Sequence, residues 1–441
     1  MSLKIFLLLT TFSFILISSS YAHSGQVLKT LTLNFNSEEV LQDKSSQIRD
    51  ARFKSIQEWV KQNEPDIIFI QEGWNYHGMP SVIVPLAKII DYDYAYRVGE
   101  GIPFLLADSS GILVKKSLHL TQTRNFELPY GKSEIGNGGG WVLPLGANSY
   151  AVGGRITLED GSSLYAYSTH LISNGDTGAV AGLNAIHQTI LNQALSNGEN
   201  PENMRSIIAG DFNSKPNDPG LIAIKSLGYR DTFAEAHPGL ETAENSCTLC
   251  MDPHSVYFNP VTISPAQFPK QAEIGGNDRI DYILARGPQI KTLASTVVFT
   301  KPIHHVWMSD HMGVMSTVAV GEVPAAEDYP NPLRDNENTK TSLIIHLNHE
   351  NIHCENSTNC TSILPDSEID PSLGVTFIND TKGYIRIKLN GVGHVWNQDH
   401  VILAPQDASA FYFDPDSTYE FRAHELFTRR KLYGGLSAFS K

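Results

Sequence analysis

The sequence predicts an α/β domain over residues 23–320 and a small β-rich domain over residues 342–441, joined by a linker at 321–341. Three observations lead there. Apolar strand-like runs interleave with amphipathic helical runs as far as residue 320, the pattern of α/β architecture. Three prolines and a polar stretch without periodicity then interrupt it. Beyond them come short alternating segments of strand type.

Residues 1–22 stand apart from both domains. Lys4, an apolar run over 5–17, and the small residues Ser20 and Ala22 are the parts of a secretory signal peptide, with cleavage expected after Ala22. The apolar run is well short of the ~20 residues needed to span a bilayer, and no later segment qualifies. The mature chain is therefore expected outside the cytosol, secreted or periplasmic, with no transmembrane segment.

Residues 28–34 alternate polar and apolar side chains and read as a strand. Residues 46–62 read as a helix with Ile48, Ile56, Trp59 and Val60 on one side, and Pro65-Asp66 ends it. A buried strand at 67–70 runs into Gln71-Glu72. A strand at 165–170 precedes a helix at 182–195, whose apolar side is Leu183, Ile186, Ile190, Leu191 and Ala194. Strands at 206–209, 280–284 and 313–320 complete the first domain. In the second, strands are expected at 342–347, 374–378, 384–389 and 410–413, and a helix at 425–430.

Composition limits the function. Hydrophobic residues at 41% and charged residues at 18% exclude a disordered chain or a coiled coil. Lys+Arg 33 against Asp+Glu 47 gives a net charge of −14, which excludes coating of nucleic acid through bulk charge. A nucleic-acid substrate handled at a local, metal-bearing site is compatible with it. Four cysteines are too few for a disulfide-built scaffold. In an oxidising compartment Cys247/Cys250 and Cys354/Cys360 read as two local bridges, and a four-thiolate zinc site is the rival reading.

Acidic, amide and imidazole side chains recur at strand ends: Asn34, Glu72, His170, Asp211 with Asn213, Asp278 with Asp281, and Asp310-His311. Sites collect at such positions in α/β folds. Singly, Asp211 reads as a turn residue and Asp310-His311 as a helix cap; six together point to chemistry. Oxygen ligands such as Glu72 and Asp310 suit Mg²⁺, with Mn²⁺ or Ca²⁺ as alternatives, rather than zinc. Imidazoles and amides beside such an ion suit a phosphoryl group, whose hydrolysis needs charge neutralisation, an activated water and a stabilised leaving oxygen. No Ser or Cys nucleophile elbow is present.

Leu33-Asn34, Ile70-Gln71-Glu72, Ser168-Thr169-His170-Leu171, Gly210-Asp211-Phe212-Asn213-Ser214, Asn277-Asp278-Arg279-Ile280-Asp281-Tyr282 and Ser309-Asp310-His311 resemble, in order and spacing, the motifs of the endonuclease/exonuclease/phosphatase superfamily. The resemblance covers residues 27–320 and implies a four-layer α/β/β/α sandwich. It implies that Glu72 binds the metal with Asn34 beside it and Asp310 nearby, and that His170 donates a hydrogen bond to the phosphoryl group. Asp211, supported by Asn213, would orient or deprotonate the attacking water, or protonate the leaving group. His311 would be a second imidazole held by a carboxylate. Both Asp278 and Asp281 are available for that, and Asp281 is favoured because Asp281-Tyr282 follows the more widespread form.

The chain also departs from the family pattern. An Arg three residues before Gln188 is replaced by Ala185, and His187 is the available stand-in, though a histidine on a surface helix is the plainer reading. Asn36 reads as a turn residue or a further ligand. The long polar insert between Gly228 and Asn277 carries Cys247-x-x-Cys250 and precedes the Asp281 strand. Tyr257, Phe258, Phe268 and Trp307 are aromatic candidates for substrate contact or for packing under a loop. His346, His349 and His353 in the tail read as a polar loop, and Asn356, Asn359 and Asn379 open acceptor sequences for N-glycosylation. The reading is an exported, Mg²⁺-dependent phosphoester hydrolase acting on a phospholipid headgroup, as a sphingomyelinase does. A secreted nuclease is the alternative substrate class, and a catalytically inert binding protein the alternative of another kind.

Overall fold

The computed structural model describes residues 25–36, 46–74, 76, 79, 81–98, 109–132, 148–171, 176–251, 259, 277–303, 307–321 and 329–335, and seven strands beyond them. Residues 1–22, the Cys354/Cys360 pair, His349, His353, Asn356, Asn359, Tyr257, Phe258 and Phe268 lie outside the described residues.

The elements in chain order are β1 (Gln26–Asn34), α1 (Ser46–Asn63), β2 (Ile67–Gln71), α2 (Ile83–Ile90), β3 (Tyr92–Val98), β4 (Ser109–Lys115), β5 (Leu120–Lys132), β6 (Asn148–Thr157), β7 (Ser163–His170), α3 (Asp176–Ser196), β8 (Ser206–Asp211), α4 (Pro219–Ser226), β9 (Arg230–Asp231), α5 (Thr232–Ala236), β10 (Leu249–Cys250), β11 (Asn277–Asp278), β12 (Asp281–Arg286), β13 (Ile290–Val298) and β14 (Gly313–Val320). They build two six-stranded sheets, ordered β13-β14-β1-β2-β4-β3 and β5-β6-β7-β8-β12-β9. Each holds one parallel pair, β1 with β2 and β7 with β8, among antiparallel neighbours.

The period of two along each strand sorts the side chains into layers. Leu28, Ile67, Phe69, Ile112 and Val114 of the first sheet meet Leu164, Ala166, Ile207, Ala209, Ile283 and Ala285 of the second in one apolar layer. The intervening residues Leu31, Leu33, Ile68, Ile70 and Leu113 face outward onto Phe53, Ile56 and Val60 of α1 and Ile83 and Leu86 of α2. Tyr165, Tyr167, Ile208, Tyr282 and Leu284 face outward onto Leu183, Ile186 and Ile190 of α3 and Leu221 and Ile224 of α4. The result is the four-layer α/β/β/α sandwich. Both expected helices and every strand expected in the first domain are present. The sequence reading did not anticipate β3–β6, β9–β11, β13, α2, α4 or α5.

Beyond residue 342, β15 (Leu343–Leu347), β16 (Val375–Asn379) and β19 (Ala408–Phe411) form one sheet, and β18 (His400–Leu403), β17 (Ile385–Asn390), β20 (Tyr419–Glu425) and β21 (Lys431–Leu436) another. Glu425, expected to open a helix, instead closes β20, where it pairs with Ile385; its main-chain groups serve a sheet ladder. Residues 426–430 lie outside the described residues.

The segment expected to link the domains contains residues packed on the first. Val297 N–H donates to the Leu333 carbonyl (3.0 Å), and Asp335 N–H donates to the Val297 carbonyl (2.9 Å). Arg334, buried, donates to the Asn245 and Cys247 carbonyls at 2.8 and 3.2 Å. Leu333 packs with Phe233, Trp307 and Met312. A chain ending at residue 323 loses this strip. By calorimetry it is expected to melt about 5 °C or more below a chain ending at residue 341, as removal of buried hydrogen-bonded groups implies. Equal midpoints would show that the strip contributes nothing.

His187 does not approach the strand ends. It is buried on α3 against Tyr229, with Nδ1 3.4 Å from the tyrosine hydroxyl and the rings edge to face. Burial, then the charge of Arg286, pushes its pKa below the ordinary 6.5. The unfolded chain therefore accepts a proton that the folded chain resists. This stability is present above about pH 6.5 and is lost as pH falls. The drop in melting temperature from pH 7.5 to pH 5.5 should narrow in His187→Gln; an unchanged drop would remove His187 as its source.

Candidate active site

Along the inner face of each sheet the apolar layer gives way to polar residues at one end. On β1 the inward positions run Leu28, Thr30, Thr32, Asn34; on β2, Ile67, Phe69, Gln71; on β7, Leu164, Ala166, Ser168, His170; on β8, Ile207, Ala209, Asp211. β12 runs the other way and begins with Asp281, followed inward by Ile283 and Ala285. Pairing joins these ends into rows. In the second sheet Tyr150 pairs with His170, His170 with Asp211, and Asp211 with Asp281. In the first, Asn34 pairs with Gln71. Side chains in such a row share a face, about 4.8 Å apart per strand.

The turns after the strands complete the set. Asn36, Glu72 and Asn213 all have left-handed backbone, with φ of 49°, 50° and 46°. A non-glycine residue there costs on the order of 1 kcal/mol. For Glu72 the gain is direction. A continued strand would aim it at the helix layer; the turn returns it to Asn34. Asn36 caps its own turn by donating its N–H to Asn34 Oδ1 (2.9 Å). Gly210 has φ +149°, and a Cβ there would meet the Thr169 carbonyl oxygen at 1.8 Å, so the residue before Asp211 must be glycine.

Asp211, 1% exposed, is the hub. Its Oδ1 accepts from Asn213 N–H (2.8 Å) and its Oδ2 from Asn34 Nδ2 (3.0 Å). The same oxygen lies 3.4 Å from His170 Nε2 and 3.9 Å from His311 Nε2. Asn34 Nδ2 also donates to Glu72 Oε1 (2.9 Å), which lies 3.9 Å from His170 Nε2. Asn34, expected beside the metal, thus turns its amide nitrogen to two carboxylates and its oxygen to Asn36, and spaces Glu72 from Asp211. Asn213 Nδ2 donates to the Leu171 carbonyl (2.7 Å) and sits 3.2 Å from His170 Nε2.

His311 Nδ1 and Asp281 Oδ2 are 2.9 Å apart, and both residues are buried. Asp278, the rival partner, pairs with Lys215 (2.8 Å). Burial alone would lower the pKa of His311; the carboxylates of Asp281, Asp310 and Asp211 outweigh it and hold the imidazole well above its ordinary value. Burial raises the Asp281 carboxyl, against the charge of His311. Asp310 accepts from the Ser309 hydroxyl at 3.1 Å.

Among the described residues, two groups of three side chains present ligand atoms within 4.8 Å of one another: Glu72, His170 and Asp211, and Asp211, Asp281 and His311. Carboxylate oxygens with imidazole fit a divalent cation. Asp310, expected as a ligand, stands outside both groups. Trp307 is 5% exposed and packs with Phe233, the Cys247–Cys250 disulfide and Met312, so its ring is core rather than substrate contact. Two nearby residues escaped sequence reading. Tyr150 continues the row beyond His170, and the Arg97 guanidinium from β3 lies 4.0 Å from the centroid of its ring. Their strands bear no motif; register with β7 brings Tyr150 here, and Arg97 comes from the other sheet.

A four-layer sandwich whose inner strand ends gather carboxylates and imidazoles within metal-binding reach of one another fits a phosphoester hydrolase class. The family model described as "Endonuclease/Exonuclease/phosphatase family" matches residues 31–311, and the chain belongs to that family of phosphoester hydrolases. Comparison with curated protein sequences returns no match. Among solved structures, an endonuclease/exonuclease/phosphatase family protein from Bacteroides thetaiotaomicron is 18% identical over 68% of this chain and 100% of its own, with a TM-score of 0.46. D. rerio TDP2 complexed with single-strand DNA product is 18% identical over 66% and 99%, TM-score 0.46. The mannosyl-6-phosphatase of Bacteroides thetaiotaomicron is 17% identical over 66% and 99%, TM-score 0.44.

The two aspartates separate cleanly by mutation. Asp281→Asn is expected to lower turnover by ~10²-fold or more, because it disturbs a buried imidazole's charge partner. Asp278→Asn removes only an ion pair with a largely exposed lysine and should stay within about twofold of wild type. Steady-state kinetics on one phosphoester decides; equal effects would contradict the geometry.

Proposed function

We propose that the chain is an exported phosphodiesterase that uses Mg²⁺, with Glu72 as its principal ligand. The observation that carries this reading is Asp211, buried between two imidazoles and joined through Asn34 to Glu72. When bound, the cation neutralises charge on the phosphoryl oxygens. Asp211, oriented by Asn34 and Asn213, takes the proton of the attacking water. His311, charged by its partnership with Asp281, donates to the phosphoryl group or leaving oxygen, and His170 donates to a non-bridging oxygen. Export is supported by the signal-type segment at 1–22 and by the Cys247–Cys250 disulfide, which persists in oxidising compartments.

For the substrate we propose a phosphodiester with a small headgroup, foremost a phospholipid headgroup. The net charge of −14 opposes a long polyanion. Among the described residues no helix is long and apolar enough to cross a membrane. Arg97 beside the row favours a second reading, a secreted nuclease, because a cation there suits a neighbouring phosphate. A panel of sphingomyelin, phosphatidylcholine, DNA, RNA and inositol phosphates, with and without chelator, tests both. Hydrolysis of none would leave an inert binding protein.

Metal dependence has its own measurement. Calorimetric titration with Mn²⁺ should show a site in wild type that Glu72→Gln weakens at least ~10-fold, with loss of hydrolysis in parallel. Full activity in excess chelator would refute the reading.

A further inference from the structure

The Asp281–His311 pair is held by neither sheet alone. Asp281 opens β12 and His311 precedes β14, and the two strands belong to different sheets. What joins them is Thr248, in the insert after residue 228. Its side chain is fully buried. Its hydroxyl oxygen accepts from the N–H groups of Ile280 (3.1 Å) and Asp281 (3.2 Å). Its own N–H donates to the Asp278 carbonyl (3.0 Å), and its carbonyl accepts from Met312 N–H (2.7 Å). One residue thus makes four hydrogen bonds, three to the chain entering Asp281 and one to the residue after His311. The hydroxyl also exerts a pKa-lowering pull on the Asp281 carboxylate.

Thr248 is itself fixed from both sides. Cys247 and Cys250, buried, close a disulfide around it. Arg334 grips the Cys247 carbonyl (3.2 Å), and Leu249–Cys250 pair with Asn277–Asp278. The Cys250 carbonyl accepts from Asn259 N–H (3.0 Å), and Asn259 Nδ2 donates to the Ser309 and Asp310 carbonyls, both at 3.0 Å. The insert therefore clamps both approaches to His311.

We propose that Thr248 is a positioning residue: held by the Cys247–Cys250 disulfide, it sets the Asp281–His311 pair against Asp211, and turnover depends on that bridge. The inference rests on the phosphodiesterase reading above. A shift of the pair by about 1 Å would lower turnover by ~10²-fold without touching substrate binding.

The test uses the full chain and a small soluble substrate, bis(p-nitrophenyl) phosphate, with Mg²⁺. Thr248→Val keeps the shape and removes the hydroxyl; Thr248→Ser keeps the hydroxyl. Expected are a ~10- to 100-fold fall in kcat for the valine variant with KM within about threefold, and recovery to within about threefold of wild type for the serine. The double variant Cys247→Ser/Cys250→Ser should fall similarly, and adding Thr248→Val to it should lose little more, as coupled groups do. The downfield NMR signal of the His311 Nδ1–H proton reads the pair without turnover; it should be lost in Thr248→Val and kept in Thr248→Ser. Wild-type kcat in a folded valine or double-serine variant overturns the proposal, as does an unchanged proton signal. A wild-type chain with that signal but no turnover on any phosphoester fails the functional reading instead, and the signal in the variants still decides the positioning role.

Discussion

Packing of two sheets face to face is the constraint on which the site depends. A strand with one face on a helix layer and the other on a second sheet is apolar on both. It can turn polar only where the inter-sheet layer opens. β1, β2, β7, β8 and β12 all reach the same opening, so the last inward residue of each is free to be polar. Below them Thr32, Gln71 and Ser168 form a transition: Thr32 Oγ1 donates to Gln71 Oε1, and Gln71 Nε2 to Ser168 Oγ (3.0 Å). These bonds satisfy buried polar groups that would otherwise be costly and tie one sheet to the other, one inward position below Asn34 and His170.

That arrangement explains which parts were legible in the sequence. Asn34, His170, Asp211 and Asp281 each end or begin an apolar strand at an inward position, and position along a strand is a local property. Glu72 was legible only as the residue that follows an apolar strand; the left-handed turn that aims it inward was not. Asn34's orientation could not be read, because an asparagine beside carboxylates serves as ligand or as donor, and the Asn36 turn decides it. Tyr150 and Arg97 were illegible: β6 joins the row only through its register with β7, and β3 reaches it from the other sheet. Trp307 read either as a substrate contact or as packing under a loop; Leu333 and Met312, one from a segment read as linker, make it packing.

The same limit applies to the insert. It read as a long polar segment with aromatic candidates for substrate contact, whereas its described part is structural. Arg279 shows how. It lies inside a motif next to Asp278, where a cation invites a substrate role, but it is buried, bonded to Asp231 (2.6 Å) and packed against the rings of Phe233 and Tyr282. The ion pair fixes the turn before Asp281 to α5's N-terminus, where Asp231 caps the Phe233 and Ala234 N–H groups. Removing either partner would leave a buried charge, so the pair acts through the backbone it holds.

Charge balance closes the argument about the cation. Glu72, Asp211, Asp281 and Asp310 bring four carboxylates to the strand ends, and His170 and His311 bring two imidazoles. Even against two imidazolium charges, two negative charges would remain in a partly desolvated space, where like charges repel and oppose folding. A divalent ion held there would remove that excess, and on the proposed reading a phosphodiester would add back one charge, which His311 is placed to meet. The pull of three carboxylates on His311 is therefore part of the same balance.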